Sequence, residues 1–130
     1  SSRIAPWGSL LSTAASMRGA AGCITDGLVR DILAIRKMQF PVFHGGIGPL
    51  DSKGRGQIMA IDVPVTCGGV LVAPGDIVIG DADGVVVVPR KVESEILTVL
   101  DEKLKGESKS LDALRSGEYL RDVYARYGVL

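Results

Sequence analysis

The adjacent residues Arg30 and Asp31 are the pair in this chain best suited to chemistry. A guanidinium presents a planar fork of N–H donors that fits a carboxylate, and an aspartate supplies the hard oxygen that a divalent cation prefers. Together the two side chains could hold a metal-chelated oxo-acid. Taken alone, however, the dipeptide fits better as a helix-start salt bridge, with Asp31 at the helix N-terminus and Arg30 as its surface partner.

A second candidate is the run Gly8-Ser9-Leu10-Leu11, which follows Trp7. If these residues begin a helix, their backbone N–H groups lack intrahelical acceptors and form an anion site. The motif is weak alone, because a helix cap next to a glycine gives the same pattern. It gains weight from Arg30 on the next α/β turn, where both could face one carboxylate.

The elements that must position these residues alternate over the first 43 positions. Apolar spacing and turn residues predict a helix over 7–18, a buried strand over 23–25, a turn at Asp26-Gly27, a helix over 28–38 and a strand over 40–43. Val29, Ile32, Leu33 and Ile35 should face inward from the second helix. Arg30 and Asp31 would then lie in its first turn, at the C-terminal edge of an α/β layer, where such sheets bind ligands.

The rest of the chain predicts a β-rich half and a helical tail. Short β-rich runs cover 57–65, 70–73, 76–80 and 85–88, with Gly, Pro and Asp turns between them. Pro89 is suited to the first position of a helix that Gly106 would end. Helical segments over 110–116 and 119–127 follow, and Gly128 is the expected C-cap.

Length, composition and charge exclude several classes of function. The chain has 130 residues, and 15 basic side chains balance 15 acidic ones, so no global field attracts nucleic acid or an anionic membrane. One domain is expected. No apolar run approaches the roughly 20 residues of a membrane helix. Cys23 and Cys67 lie in apolar segments, which indicates buried, reduced thiols and a cytoplasmic protein.

The single histidine, His44, precedes a glycine-rich stretch over 45–49. A general acid–base role is conceivable for it. A loop histidine without a visible partner is more often structural or solvated, and the stretch itself is interpreted as a flexible connection, since it lacks the Lys-Ser/Thr ending of a phosphate loop.

From about Trp7 to the C-terminus, the chain resembles the RraA-like family. The motifs that carry the resemblance are Trp7-Gly8-x-Leu10-Leu11, Arg18-Gly19-x-x-Gly22, Thr25-Asp26-Gly27-x-x-Arg30-Asp31, Phe40-Pro41-Val42-Phe43, Gly68-Gly69-Val70, Pro74-Gly75-Asp76-x-Val78 and Asp81-x-Asp83-Gly84-Val85. The resemblance implies an α/β fold of the layered, swivelling β/β/α type with a mixed sheet. It also implies one RraA-like domain over 1–130 that lacks an N-terminal segment, and assembly as a homotrimer or hexamer.

The family includes 4-hydroxy-4-methyl-2-oxoglutarate aldolases, proteins with oxaloacetate decarboxylase activity and non-catalytic regulators of RNase E. The resemblance implies that the amides of Gly8, Ser9, Leu10 and Leu11 grip the carboxylate of a small 2-oxo acid. Arg30 would bind the substrate and Asp31 would ligate Mg²⁺ or Mn²⁺. The expected activity is that of a class II, metal-dependent lyase that breaks a carbon–carbon bond through a pyruvate enolate.

One residue departs from the pattern of the catalytic members. They usually carry an acidic residue twenty-one positions before the arginine, where this chain has Ser9. A carboxylate there would orient metal-bound waters, and a serine accepts a proton far less readily. The family's acidic contribution from a neighbouring subunit is not assignable, with Glu102 and Glu107 as candidates. A regulator that binds an RNase E-type endonuclease, or a catalytically idle paralogue, therefore remain alternatives.

Overall fold

A computed structural model describes residues 3–129 of the chain. The chain divides into two compact units between Val87 and Val88, and each is described by itself. Within the described residues, no helix combines the length and apolarity that crossing a membrane requires.

The first unit begins with the predicted alternation of helices and strands. Its elements are α1 (Ser9–Ser16), β1 (Cys23–Val29), α2 (Ile32–Lys37) and β2 (Val42–Ile47). Strands β1 and β2 pair in parallel, from Cys23 opposite Val42 to Val29 opposite Ile47. The parallel component predicted from the sequence is therefore confirmed.

The predicted turn at Asp26-Gly27 is wrong, because both residues lie inside β1. The ladder accommodates them by a shift of register between Thr25 and Leu28. The partner strand approaches closely here, since a Cβ at Gly45 would lie only 2.2 Å from the carbonyl oxygen of Asp26. Because β1 continues to Val29, α2 begins only at Ile32. Arg30 and Asp31 therefore precede the helix instead of forming its first turn, which was the predicted position.

The core of this unit is small and includes the last residue of β1 and one residue of α2. Val29 and Ile35 are almost completely buried, as predicted, and Ala5 and Phe40 join them. Leu33, by contrast, was wrongly predicted to face inward, since it is 79% exposed. The helix is only six residues long, and its register after the left-handed Asp31 leaves Leu33 on the solvent side.

Strand β2 begins and ends later than predicted. It starts at Val42, directly after Pro41, and continues through His44 and Gly45 to Ile47. His44 therefore lies in a strand and not in a loop, and the flexible connection predicted over 45–49 is wrong for residues 45–47. Glycine suits these positions because β1 leaves no room for side chains there: a Cβ at Gly46 would lie 2.7 Å from the side chain of Leu28.

The β-rich half forms two pairs of short strands. They are β3 (Val65–Cys67) with β4 (Val70–Val72), which is an antiparallel hairpin, and β5 (Ile77–Gly80) with β6 (Val85–Val88). The first run begins at Val65 and not at 57, because residues 57–64 form no strand. Together with β1–β2 the strands make three two-stranded sheets over residues 3–129, instead of one mixed sheet.

The second unit contains a short 3₁₀ helix (Arg90–Val92), α3 (Glu93–Arg115) and α4 (Leu120–Tyr127). Gly106 was predicted to end the helix, but it lies inside α3. The C-terminal segment passes close to it, because a Cβ at Gly106 would lie 2.7 Å from the Val129 side chain. Ser110 Oγ donates to the carbonyl oxygen of Val129 at 3.0 Å. Gly128 caps α4 in the left-handed conformation (φ 68°), as predicted.

Candidate functional site: the junction of α1 and β1

The N-terminus of α1 lies beside the C-terminal end of β1. Trp7 forms a parallel bridge with Val29, and the N–H of Arg30 donates to the carbonyl oxygen of Trp7 at 2.9 Å. On the other side, Gly48 N–H donates to the carbonyl oxygen of Val29 at 3.0 Å. These contacts bring Gly8–Leu11 and Arg30-Asp31 together, as the sequence predicted for the two candidate segments.

Gly8 makes this close approach possible. Its backbone is extended (φ −159°, ψ −170°), a conformation that any residue can adopt. Glycine is needed here because it has no side chain, and not because of its backbone freedom. A Cβ at this position would lie 2.9 Å from Asp31 Oδ2 and 3.0 Å from Arg30 Cγ. The Arg30 and Asp31 side chains therefore occupy the space next to Gly8 that any larger residue would need.

The carboxylate of Asp31 is fastened to Ser9. Asp31 Oδ2 accepts a hydrogen bond from the backbone N–H of Ser9 at 3.1 Å and another from the Ser9 hydroxyl at 2.9 Å. Within residues 3–129 both hydrogen bonds of this carboxylate end on Oδ2, and none ends on Oδ1. The Asp31 side chain is 42% exposed, so a ligand from solvent can reach it.

Asp31 takes up this position through an uncommon backbone conformation. Its φ of 58° and ψ of 33° lie in the left-handed region, where aspartate is tolerated better than most residues. Its carbonyl oxygen accepts the N–H groups of Ala34 and Ile35 at 3.0 and 3.1 Å and so begins α2. The side chain makes no capping hydrogen bond to α2. It binds the N-terminus of α1 instead. Asp31 therefore lies at the start of α2 and pairs with Arg30, as the alternative interpretation predicted, but its side chain does not cap α2.

The surroundings of Asp31 keep it ionised. The Ser9 N–H and then the Ser9 hydroxyl lower the pKa of this carboxyl below its ordinary 3.8; desolvation opposes them, and the positive charge of Arg30 adds a smaller lowering effect. At neutral pH the group is a carboxylate, which is the form that ligates a cation.

Arg30 is held mainly by backbone carbonyls. Its Nη1 donates to the carbonyl oxygen of Ala5 at 2.6 Å and, at 3.4 Å, to that of Pro6. The ion pair with Asp31 is loose, with 4.0 Å between Nε and Oδ2. Within residues 3–129 the guanidinium donates its hydrogen bonds through Nη1. A guanidinium edge formed by Nε and Nη2 can bind a carboxylate through two parallel hydrogen bonds.

The backbone amides of α1 partly match the predicted anion site. The Ser9 N–H is engaged by Asp31, while Ser12 N–H donates to the carbonyl oxygen of Gly8 and belongs to the helix. The N–H groups of Leu10 and Leu11 lie in the first turn, where no intrahelical acceptor exists. Both residues are exposed, at 80% and 47%. Two of the four amides predicted to grip an anion, those of Leu10 and Leu11, thus have no intrahelical acceptor.

Two supporting contacts were not predicted from the sequence. One is the pair of carbonyls from Ala5 and Pro6 that holds Arg30. The other is the hydrogen bond from Trp7 Nε1 to the hydroxyl of Ser12 at 2.8 Å, with Ser12 fully buried. The five-residue spacing of Trp7 and Ser12 gives a faint signal in the sequence, because it spans the first turn of the predicted helix. Backbone acceptors such as Ala5 leave no signal at all.

The donor set suits a hard, hydrated cation. Residues 3–129 contain no cluster of three or more His, Cys, Asp or Glu side chains that could hold a metal, so a zinc-type site of protein ligands alone is not formed there. One reachable carboxylate suits Mg²⁺ or Mn²⁺, which keep several waters and take further oxygens from the substrate. The other acidic candidates, Glu102 and Glu107, lie on α3 in the second unit.

His44 belongs to a separate cavity in the first unit. This cavity has a volume of about 490 Å³ and is lined mostly by aliphatic side chains, with Thr25, Asp26 and Cys67 as polar exceptions. The Nδ1 atom of His44 is buried and has no hydrogen-bond partner within the described part of the chain. Asp26 Oδ2 accepts the N–H of Gly68 at 3.2 Å.

The cysteines are free thiols, and both are only half-buried, although full burial was predicted. Desolvation, with a smaller effect of Cys67, raises the pKa of the Cys23 thiol from 9.0 to about 11.

The chain is similar in sequence to known proteins. An uncharacterized protein of Methanocaldococcus jannaschii is 39% identical over 119 residues, which are 92% of this chain and 57% of that protein. A protein of Halalkalibacterium halodurans, provisionally named 4-hydroxy-4-methyl-2-oxoglutarate aldolase, is 47% identical over 79 residues, which are 61% of this chain and 37% of that protein. The chain therefore spans only about half the length of these curated relatives.

A solved structure gives the same result for the fold. Streptomyces coelicolor RraAS2, described as an unusual member of the RNase ES inhibitor RraA protein family, superposes with a TM-score of 0.78 and 34% identity, over 85% of this chain and 56% of that one. Residues 1–87, which include the whole α1–β1 junction, match the family described as RraA-like, Aldolase/RraA. The mixed α/β fold and the matched residues together show that the chain belongs to the RraA-like family.

Proposed function

We propose that the junction of α1 and β1 is part of the active site of a divalent-metal-dependent lyase that cleaves a carbon–carbon bond of a 2-oxo acid. The observation that carries the proposal is the arrangement of Asp31. Its Oδ2 is held by two hydrogen bonds from Ser9, and Arg30, anchored on the carbonyl oxygen of Ala5, lies beside it with 4.0 Å between Nε and Oδ2. A carboxylate and a guanidinium held side by side by other contacts suit a cation and an organic anion bound together.

Each group has a role that follows from its contacts. Asp31 would hold the cation, Mg²⁺ or Mn²⁺. Arg30, anchored through Nη1 on Ala5, would bind the substrate carboxylate through Nε and Nη2. The amides of Leu10 and Leu11 would complete the carboxylate site, with Gly8 giving the space and Ser9 holding Asp31. A bound divalent cation would supply a Lewis acid for the electrons released from the broken bond.

The proposed substrates are 4-hydroxy-4-methyl-2-oxoglutarate and oxaloacetate. Retro-aldol cleavage of the first and decarboxylation of the second both leave an electron pair on C3 of pyruvate, so one site can serve both. The provisional name of the Halalkalibacterium relative supports the aldolase activity. Following the resemblance to the family, the assembly is proposed to be a homotrimer or hexamer of the layered β/β/α type.

The direct test is pyruvate release from either substrate with and without Mg²⁺. The unaltered protein should release pyruvate only with the cation. Asp31→Ala should lower the rate at least about 100-fold, because a Lewis-acid cation contributes several kcal/mol to the transition state and each change of about 1.36 kcal/mol is tenfold in rate. Asp83→Ala is the matched control, because Asp83 is an exposed aspartate in the β5–β6 turn. Undiminished release by Asp31→Ala would refute the role of Asp31.

A second candidate function is regulation of an RNase E-type endonuclease without catalysis. Two observations favour it: the description of the Streptomyces neighbour as a member of an RNase inhibitor family, and Ser9 at the position of the usual acidic residue. A pull-down with such an endonuclease, run beside the pyruvate assay, separates the two functions. Calorimetric titration with Mg²⁺ and oxalate, a mimic of the pyruvate enolate, identifies an idle paralogue, which would bind neither.

A further inference from the structure

We propose that Ser9 is a positioning residue that decides which oxygen of Asp31 meets the cation. The proposal rests on the proposed function and adds a role for the residue at which this chain departs from the catalytic pattern. Ser9 engages Oδ2 through two donors, so the cation is left to Oδ1 as a ligand from one oxygen only.

Two hydrogen bonds from one residue define the orientation of the carboxylate. The N–H of Ser9 and its hydroxyl reach the same oxygen at 3.1 and 2.9 Å, and both belong to the first residue of α1. A single hydrogen bond would let the carboxylate rotate about it. Two donors, one from the backbone and one from the side chain of Ser9, restrict that rotation. Charge-assisted hydrogen bonds of this kind are about twice as strong as neutral ones.

The backbone on both sides supports the same orientation. The Ser9 N–H has no acceptor within its own helix, so it is free to bind Asp31 and adds the favourable end of the helix dipole. Gly8 leaves room for the carboxylate, because a Cβ there would lie 2.9 Å from Oδ2. Asp31 itself is in the left-handed conformation. Three neighbouring positions are thus adapted to one contact.

An acidic residue in place of Ser9 could not make this contact. Two carboxylates facing each other repel unless a cation lies between them. The serine hydroxyl is a donor, and it orients Asp31 whether or not a cation is present. The site of this chain is therefore arranged before the cation arrives, with one negative charge fewer than a site with two carboxylates.

The contact also divides the amides of α1 between two tasks. The Ser9 N–H serves Asp31, so the substrate carboxylate is left to Arg30 and to the N–H groups of Leu10 and Leu11. Loss of the Ser9 hydroxyl should accordingly weaken cation binding much more than binding of an organic anion.

The test combines amide hydrogen exchange with Mn²⁺ binding on the full chain. In the unaltered protein, the Ser9 amide should exchange at least about tenfold more slowly than those of Leu10 and Leu11, although all three lie in the first helical turn. In Asp31→Ala the three rates should become similar. A fast Ser9 amide in the unaltered protein would overturn the positioning role, whatever the protein's activity.

Mn²⁺ binding, followed by electron paramagnetic resonance, measures the consequence for the cation. Ser9→Ala should raise the Mn²⁺ dissociation constant about tenfold, in the range for groups that orient a metal ligand, and Ser9→Thr should restore it by returning the hydroxyl. Ser16→Ala, at the exposed end of the same helix, is the control and should leave it unchanged. Equal affinities for Ser9→Ala and the unaltered protein would overturn the proposal, whereas no Mn²⁺ binding by any variant would overturn the proposed function itself.

Discussion

Gly8→Ala should damage the candidate site while leaving the fold almost intact. The extended backbone of Gly8 accepts an alanine, but the new Cβ would lie 2.9 Å from Asp31 Oδ2. Relief to an ordinary contact requires a movement of about 0.5 Å, since carbon–oxygen contacts are normally about 3.3–3.6 Å. Such a movement would lengthen the Ser9 N···Oδ2 distance from 3.1 Å beyond the roughly 3.2 Å limit of a good hydrogen bond.

This movement should weaken the binding of the cation. A hydrogen bond to a charged group contributes about 1.5–3 kcal/mol, and each 1.4 kcal/mol corresponds to a factor of about ten in affinity. The Mn²⁺ dissociation constant should therefore rise about 10- to 100-fold. The free energy of unfolding should fall by only about 1 kcal/mol, because the displaced side chains are partly exposed and can move.

Isothermal titration with Mn²⁺ and thermal unfolding measure the two effects separately. Gly56→Ala is the control glycine substitution, because its Cβ would meet the end of the flexible Ile4 side chain at 3.2 Å and, in ordinary contact, Ser52 Cβ at 3.9 Å. Retention of full Mn²⁺ affinity by Gly8→Ala would show that the packing of Gly8 against Asp31 does not govern the site. A collapse of stability by several kcal/mol would show that the contact is structural first.

Three further predictions concern other contacts. Arg30→Lys should weaken oxalate binding at least about tenfold in calorimetry, because one ammonium cannot hold Ala5 and also offer a planar fork; unchanged affinity would exclude the fork. Ser12→Ala should lower the free energy of unfolding by about 1–3 kcal/mol, because it leaves the Trp7 indole N–H without its partner. The fluorescence of this single tryptophan should also change. Identical melting curves and spectra for the two proteins would contradict this prediction. At pH 8, Cys23 should react with iodoacetamide about 100-fold more slowly than a thiol of ordinary pKa, since its pKa is raised from 9.0 to about 11. Because the folded protein favours the protonated thiol, the stability that this group contributes should be present below pH 9.0 and lost as the pH rises through about 11. A reaction rate that levels off near pH 9 would refute the shift of the pKa.

The sequence predicted that the two candidate segments lie together, but not the hydrogen bonds between them. The motifs before α1 and after β1 place Gly8–Leu11 and Arg30-Asp31 at one edge of the α/β layer, and the structure has them in contact. The contact between Ser9 and Asp31 was not foreseen, because 22 residues separate the two and only the register of Trp7 beside Val29 brings them together. Long-range register of this kind leaves little trace in local residue patterns.

Three of the errors of prediction concern glycine. Gly27, Gly45 and Gly106 were interpreted as turn, loop and helix-end signals from their conformational freedom. In the structure, the first two lie in paired strands and the third lies within a helix. At Gly45 and Gly106 the lack of a side chain admits a neighbouring segment at close range. Sequence alone does not distinguish a glycine needed for its backbone from one needed for its small size.

The most direct test of the central claim is exchange of the pyruvate methyl protons in D₂O, followed by proton NMR. Exchange reports formation of the enolate that both proposed reactions share, and it requires no knowledge of the natural substrate. A site formed by Arg30 and Asp31 predicts exchange that depends on Mg²⁺ and is lost in Asp31→Ala, with Asp83→Ala unaffected. Exchange at an equal rate in Asp31→Ala, or none in the unaltered protein with saturating Mg²⁺, would contradict it.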